Sequence, residues 1–513
     1  MDDYFIGVDI GTTETKAILF ESSGTVVCKS SLELPLQIFD QYFIEQDYDE
    51  IWNKTARVIK NLINKSEVNP RNIAFISVTG QRETLGAMDK HKKILRKGIS
   101  WEDSRGREFC ILIKDKVGSE RVYRITGLPV NTMPWASKIM WLKENENDLY
   151  RKTWKFLGVV DYAVFKLSNV LTTDYSNAGR TQLFDINKKI WSDELFQVLD
   201  LDKEKVLETK PSGTLVSNVA SEACTETGLH KETAVIYGGG DQQCSALGAG
   251  VVSPGRVSCI LGTCTNMEVY ADEIPFDPKN LLEAVIHVVP GAYLSEGGIG
   301  TTGIIYRWFR DEFGEVEKIV ADSLGKDPYM LLDEEAAKSP PGSLGLMLIP
   351  YFAGSEYPYW NPNDRGAIIG LLLSHKKEHL IRAILEGVAY EYRRMVEEGG
   401  KVSETTISEI RFTGGGAKSL LWPKIFVDIL GLPGQILNVH DTGALGAGIL
   451  GTVAVGWHKE VKRATDNLVR IESTVKPDAK SHLLYDKLYS IYRQMYDRIQ
   501  DLVNAISNIY AEN

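Results

Sequence analysis

The sequence predicts an α/β protein with more than one domain, and three observations carry that reading. Strand-like and helix-like hydrophobic patterns alternate along most of the chain. A run from Ala234 to Gly250, AVIYGGGDQQCSALGAG, passes from an apolar strand through three glycines into small residues at helical spacing. The length of 513 residues exceeds what a single hydrophobic core usually organises.

From the N-terminus the pattern gives a strand at Phe5 to Asp9, a tight turn at Gly11, Thr12 and Thr13, and a strand at Thr15 to Phe20. A second turn at Ser22 to Gly24 leads into another apolar strand. A glycine followed by hydroxyl residues in a hairpin can wrap phosphate oxygens with N–H and O–H groups, although many hairpins carry Gly-Thr turns for conformational reasons alone. Asp9, on the first strand, could hold Mg²⁺ through water. Asp49 to Asn64 reads as an amphipathic helix and Asn72 to Thr79 as a buried strand. The loop after it is Gly80, Gln81, Arg82, Glu83 and Thr84. At a strand's C-terminal end such a loop faces ligands, and its Arg-Glu pair offers donors and acceptors to hydroxyls; a surface ion pair is the alternative.

The glycine run places Asp241 at the C-terminal end of a strand, where open α/β sheets carry their chemistry. Two readings stay open there: a carboxylate presented to a bound hydroxyl, or the N-cap of a helix beginning at Gln242. The hairpin pattern then returns: strand Val257 to Leu261, turn at Gly262 and Thr263, strand Met267 to Tyr270. Two such hairpins half a chain apart suggest a duplicated architecture that holds one phosphate chain from two sides. Further on, Gly414 to Gly416 follow a strand at Ile410 to Thr413 and precede a helix from Ser419 or Leu420, a setting in which a flat adenine or ribose can lie on the backbone. The segment Ala246 to Gly250 and the run Gly443 to Gly448 share ALGAG, read as helices whose small faces permit close packing. A last amphipathic helix spans Ser481 to Ile509, its apolar face carried by Leu484, Leu488, Ile491 and Met495.

Two catalogue motifs are discounted. Gly298, Gly300 and Gly303 spell GxGxxG, but no acid stands at the distance a dinucleotide fold requires. His375, Glu378 and His379 spell an inverted zinc-protease signature, but Ser374 reads as the cap of a helix running to Met395, whose solvated first turn explains the polar residues.

Composition narrows the class. The net charge of −11 disfavours a nucleic-acid or anionic-membrane surface, and 43% apolar with 25% charged residues is ordinary for a globular enzyme. Six cysteines without a paired CxxC framework are expected to be packing residues of a reduced, cytoplasmic protein. No stretch approaches the ~20 apolar residues of a spanning helix, and the opening MDDYFIGVDIG lacks the features of a secretory leader.

The ordered set DIGTTETK, GQRET, DYSNAGRT (Asp174 to Thr181), GGGDQQ, LGTCTN, YWNPNDRGAIIGL (Tyr359 to Leu371), FTGGGAKS and GALGAG resembles the FGGY carbohydrate kinases over nearly the whole chain. That resemblance implies two ribonuclease-H-like domains of the actin, Hsp70 and hexokinase type, about residues 1–249 and 250–513, with ATP and a sugar or polyol in an interdomain cleft. It implies that Asp241 is the catalytic base, that Asp9 is the acid associated with Mg²⁺, and that Thr12, Thr13, Lys16, Gly262, Thr263, Gly303, Gly415 and Ser419 bind the nucleotide. Gln81, Arg82, Glu83 and the Asp241-Gln242 pair resemble the acceptor set of the glycerol-kinase subgroup. The aromatic wall of that subgroup falls here on Met133, and Trp135 replaces a small residue. Xylulokinases usually carry Met-His where this chain has Arg82-Glu83, while His287 to Gly291 and Arg307 to Gly314 look similar to autoinducer-2 kinases. A four- or five-carbon ketose or alditol is the expected substrate, with glycerol next, and a homodimer is compatible with the C-terminal helix. A non-catalytic ATP-binding sensor is the alternative of another class, disfavoured because a pure binder has no need of a proton acceptor.

Overall fold

The computed structural model describes residues 3–40, 42–361 and 363–511; Met1 and Asp2 of the opening run and Pro362 of YWNPNDRGAIIGL lie outside them. The chain forms two compact units. The first contains Met1–Val252, Asp272–Leu294 and Asp441–Arg470, and the second Ser253–Ala271, Ser295–His440 and Ile471–Asn513. No helix among the described residues is long and apolar enough to cross a membrane.

The sheet of the first unit runs in the order Leu215–Asn218, Ala234–Gly240, Ile73–Gly80, Tyr4–Ile10, Glu14–Glu21, Val26–Glu33. The last three strands form an antiparallel meander. Tyr4–Ile10 is parallel to Ile73–Gly80, which is parallel to Ala234–Gly240, and Leu215–Asn218 closes that edge antiparallel. In the second unit six strands of a seven-stranded sheet, in the order Tyr293–Ile299, Thr265–Ala271, Arg256–Leu261, Glu409–Thr413, Gly434–Leu437, Ile471–Val475, repeat the scheme, and Glu283–Ile286 lies beyond Tyr293–Ile299. Again a hairpin is followed by two parallel strands and an antiparallel edge. The duplication hinted at by two short hairpins thus extends to whole sheets, in the mixed arrangement expected of a ribonuclease-H-like domain.

Strand periodicity decides what covers the first sheet. Ile6, Val8, Ala17 and Leu19 point toward the helix Tyr48–Ser66, meeting Ile51, Trp52, Ile59 and Leu62 in one core. That helix begins where the Asp47 carboxylate accepts the N–H groups of Asp49 and Glu50. Phe5, Gly7 and Asp9 point the other way, to the helix Thr442–Ala454: Gly7 lies on Ala444, Phe5 on Gly448 and Asp9 on Gly443. The same helix crosses Asp241–Gly248 through glycines on both sides, Gly446 on the Cys244 carbonyl and Gly248 on the Thr442 carbonyl. The two ALGAG segments are therefore packing surfaces for each other.

Several local expectations are corrected. Val26–Glu33 is an edge strand with alternate residues exposed rather than an apolar one, because after Val26 and Val27 its residues alternate Cys28, Ser30 and Leu32 with exposed Lys29, Ser31 and Glu33. The long helix of the second unit spans Lys377–Val402 with Lys376 at its N-cap, rather than being capped by Ser374 and ending at Met395. His379 Nδ1 accepts the Lys376 N–H at 3.0 Å and His375 Nδ1 accepts the Leu372 N–H at 2.8 Å, so the two histidines serve the helix start. His379 is buried rather than solvated. No cluster of three or more metal-ligating side chains occurs among the described residues. Cys110, Cys244 and Cys259 are buried, whereas Cys28, Cys224 and Cys264 are half-buried, with no disulfide among them.

The C-terminal helix spans Ala479–Ala511, and its buried face is made chiefly of tyrosines. Tyr485, Tyr489, Tyr492 and Tyr496 are buried with Met495, while Leu484 and Ile491 are exposed. The reason lies in the facing helix, which carries carboxylates: Tyr485 donates to Glu386 at 2.6 Å, Tyr492 to Glu391 at 3.0 Å and Tyr489 to Glu397 at 2.9 Å. Tyrosine buries a ring and satisfies an acid at the same position, which leucine cannot do.

Gly446→Ala tests the helix crossing. In an exposed helix the change would stabilise by up to ~1 kcal/mol. Here the added methyl collides with the Cys244 carbonyl, and overpacking of that kind costs about 1–3 kcal/mol. A lowered denaturation midpoint is expected, whereas Gly415→Ala, whose methyl would meet open space, should leave the midpoint near wild type.

Candidate active site

In the first unit the turn between Tyr4–Ile10 and Glu14–Glu21 is closed by the Gly11 N–H on the Glu14 carbonyl at 2.9 Å. Thr13 is exposed at its tip. Thr12 is held from behind: its hydroxyl accepts the Trp101 indole N–H at 2.8 Å and its carbonyl accepts the Gln46 amide at 2.7 Å. Gln81 completes that support, donating to Gln46 Oε1 at 2.9 Å and to the Gly11 carbonyl at 3.3 Å while accepting from the Thr84 hydroxyl at 3.0 Å. Its amide is engaged by the hairpin and its surroundings.

Strand register places Asp9 opposite Lys16. A methyl on Gly443 would lie 2.9 Å from Asp9 Oδ2, so glycine leaves that carboxylate its room. Burial raises the Asp9 pKa to about 6; Lys16 opposes the rise, and Asp441 and Glu14 add to it. Lys16 Nζ lies 3.1 Å from Glu14 and 3.5 Å from Asp441. Burial alone would pull the ammonium down, but Asp441 and Glu14 outweigh it and hold its pKa above the ordinary value. The donor set suits Mg²⁺, which is usually held by one or two carboxylates plus phosphate and water rather than by a full protein cage.

The segment Gln81 to Thr84 is buried, which overturns the alternative of a surface ion pair. Its Arg and Glu also serve different partners. Arg82 Nε lies 3.1 Å from Asp241 Oδ1, and its Nη1 donates to Gln243 Oε1 at 3.3 Å. Glu83, with φ of 59°, turns its carboxylate to Arg180, which also donates to Glu283 at 2.6 and 3.2 Å. Left-handed backbone at a non-glycine residue costs of order 1–3 kcal/mol and persists only where surroundings enforce it.

Asp241 is the first residue of the helix Asp241–Gly248, and the N-cap position belongs to Gly240. The capping reading is therefore set aside, although Oδ1 does accept the Gln242 N–H at 2.8 Å. The carboxylate keeps 25% of its side-chain surface open. Its pKa is pushed up to about 7, chiefly by burial, with Asp9 and Glu83 adding to the rise against the pull of Arg82. Behind it, the Gly240 N–H donates to the Ser176 hydroxyl at 2.9 Å, and Ser176 donates to Asp174 at 2.5 Å. The DYSNAGRT motif thus braces Asp241 through Asp174 and Ser176, and Glu83 through Arg180.

Met133 is half-buried on the loop before the helix Trp135–Asn145. Buried polar atoms without a protein partner include Gln242 Oε1 and Trp135 Nε1. Such atoms carry a desolvation cost that a ligand hydroxyl can relieve.

In the second unit the hairpin is closed by the Gly262 N–H on the Cys264 carbonyl at 3.0 Å, leaving Thr263 exposed at the tip. The start of the helix Gly303–Phe313 abuts it: the Gly303 N–H donates to the Gly262 carbonyl at 3.1 Å, an approach that a side chain on Gly303 would block. Gly298 and Gly300, the other glycines of the GxGxxG run, lie against Glu356. Gly415 begins a short 3₁₀ turn, Gly415–Lys418, and faces open space. The following helix begins at Trp422, later than expected, with Leu421 at the N-cap and the Ser419 hydroxyl accepting the N–H groups of Leu421 and Trp422 at 3.2 and 2.9 Å.

Sequence reasoning missed Trp101, Gln46, Lys138, Arg180, Gln243, Glu283 and Asp441. Arg180 and Ser176 stood inside a quoted motif. Gln243 likewise closes the quoted GGGDQQ, and Lys138 lies five residues from the Met133 carbonyl it holds; Trp101, Gln46, Glu283 and Asp441 lie far along the chain from the groups they touch and carry no local signal.

Comparison with known proteins places this architecture. The N-terminal domain of the FGGY family of carbohydrate kinases matches residues 4–248 and its C-terminal domain residues 257–455. The chain is 32% identical to a gluconokinase of Bacillus subtilis over 511 residues, covering 98% of each. It is 31% identical to glycerol kinase 2 of Thermotoga maritima, covering 96% of this chain and 98% of that protein. The crystal structure of xylulose kinase from Rhodospirillum rubrum superposes with a TM-score of 0.86 at 28% identity, covering 98% and 99%. The chain therefore belongs to the FGGY family of carbohydrate kinases and is an ATP-dependent enzyme of that kind.

Proposed function

We propose that Asp241 is the general base of phosphoryl transfer to a neutral four- or five-carbon ketose or alditol. The observation that carries this is a single carboxylate at a strand's C-terminal end, paired with Arg82 and brought to a pKa of about 7. A base poised near the working pH accepts a proton most effectively. Arg82 keeps the carboxylate oriented, Arg180 aims Glu83 at a second hydroxyl, and Gln242 Oε1 accepts from a third. Thr13, Lys16 and the turn N–H groups face the transferring phosphate, with Thr12 and Gln81 fixing the turn. Thr263, Gly262, Gly303 and Gly415 receive the nucleotide, and Ser419 shapes its floor. Asp9 would hold Mg²⁺, which when bound neutralises phosphate charge. In cells we place the enzyme in the cytoplasm, in keeping with its acidic balance and reduced cysteines.

The acceptor groups favour a neutral substrate over a sugar acid such as that of the gluconokinase relative. Arg82 is matched by Asp241, and Arg180 by both Glu83 and Glu283, so each guanidinium already faces a carboxylate. A substrate carboxylate would have to compete with those acids for the same two groups. Glycerol stands second: the Arg-Glu-Asp set suits it, but Met133 leaves room for a longer carbon chain.

A coupled ADP-release screen over sugars, alditols, glycerol and gluconate tests the assignment. Turnover of a four- or five-carbon ketose or alditol above glycerol, with gluconate far below, is expected. Gluconate or glycerol as the best substrate would overturn it. Arg82→Ala should abolish most activity, and Met133→Tyr should move preference toward glycerol.

Asp241→Asn should lower kcat by roughly 10²- to 10⁴-fold with ATP binding retained. The wild-type rate should fall as pH drops below about 7, because the raised carboxyl takes up its proton there. Stability supplies an independent check. A carboxyl whose pKa is raised on folding binds more protons in the native state, so stability declines as pH rises from the unfolded value, near 4, to the folded one, near 7. Asp241→Asn should therefore melt above wild type at pH 8, with the gap closing toward pH 4. Lost activity accompanied by lost stability at pH 8 would contradict this account.

A further inference from the structure

Lys138, in the first turns of the helix Trp135–Asn145, is fully buried. Both of its hydrogen bonds go to main-chain carbonyls: Nζ donates to Met133 O at 2.6 Å and to Glu83 O at 3.3 Å. The position is costly on two counts. An ammonium without solvent is strongly penalised, and a cation near a helix N-terminus opposes the helix dipole. Burial accordingly lowers its pKa to about 7, against the pull of Asp103 and Glu83. Lysines are rarely buried without an ion pair, yet this one donates to carbonyls of two separate loops, at Glu83 and Met133.

Those two loops carry the two acceptor-site residues whose backbones need holding. Glu83 has left-handed backbone, and Met133 ends a loop turned by Asn131, whose side chain accepts the Met133 N–H at 2.9 Å. We propose that Lys138 is a positioning residue that sets the width of the acceptor pocket, tying the Glu83 and Met133 loops to one ammonium. The inference rests on the reading that Glu83 and Met133 face the acceptor. Lys138 itself touches neither substrate nor phosphate; it acts by fixing the spacing between a hydrogen-bonding wall and an apolar one. Three rotatable donors on a single nitrogen suit two carbonyls converging from different directions. A planar guanidinium would hold them farther apart.

The test uses the full-length enzyme with Lys138→Met, which keeps length and removes the charge, and Lys138→Arg, which keeps charge and changes the spacing. Both should raise KM for the acceptor roughly tenfold or more, as the loss of a charge-assisted hydrogen bond implies, while KM for ATP and kcat stay within about threefold. Thermal protection by acceptor should be lost, and protection by ATP kept. Longer acceptors should suffer less than glycerol, since a loosened pocket penalises short ones most. If Lys138→Met does not accumulate folded, Lys138→Arg decides by the same readouts. Unchanged acceptor KM, or acceptor and ATP constants rising together, overturns the inference. Glu83→Gln and Met133→Tyr run alongside: if they move acceptor KM and the Lys138 variants do not, the acceptor site stands and only the clamp falls. If none of them moves it, the site reading falls and the clamp with it.

Discussion

Backbone laid directly on backbone is the constraint from which the first unit's site follows. The helix Thr442–Ala454 presents glycine and alanine to the sheet, so that Gly7 meets Ala444 and Gly446 meets the Cys244 carbonyl. Because no side chains intervene, the helix start comes down beside the first hairpin, putting Gly443 against Asp9 and Asp441 within reach of Lys16 and Lys29. The same closeness fixes the helix whose first residue is Asp241. Larger residues at these positions would push the helices off the sheet and take the carboxylates with them.

Around that frame the site is built from charges held out of water. Arg82 with Asp241, Arg180 between Glu83 and Glu283, and Lys138 on two carbonyls are buried arrangements that replacement by hydrophobic residues would often stabilise. Their value lies in orientation: each fixes the direction of a polar group that would otherwise be free to turn. The Asp174–Ser176–Gly240 chain has the same character, satisfying a main-chain N–H one residue before Asp241.

Much of this was legible in the sequence because it is local. Strand, glycine turn and hairpin each leave a short signature, so the strand bounds of the first hairpin and the place of Asp241 at a strand end agree with the pattern to within a residue. What escaped reading is either a choice between partners or a matter of burial. Arg82 and Glu83 are neighbours in sequence but turn to different partners, which spacing cannot reveal. The C-terminal helix has apolar residues at helical spacing on one face and tyrosines on another, and only the acids of the helix Lys377–Val402 decide that the tyrosines go inside. Trp101 and Gln46 hold Thr12 across tens of residues, with nothing in their own neighbourhoods to announce it.

The return of Asp441–Arg470 to the first unit also bears on how the chain is made. During synthesis the opening sheet emerges long before the helix that covers one of its faces. Phe5 and Phe75, stacked on each other and edge-on to Trp457 in the finished protein, have no such cover until the segment Asp441–Arg470 has left the ribosome. Contacts of such long sequence separation are slow to form, and the apolar face exposed in the interval is the kind of surface that chaperones bind and that aggregates seed from. A chain cut short before Asp441 therefore carries an unfinished first unit.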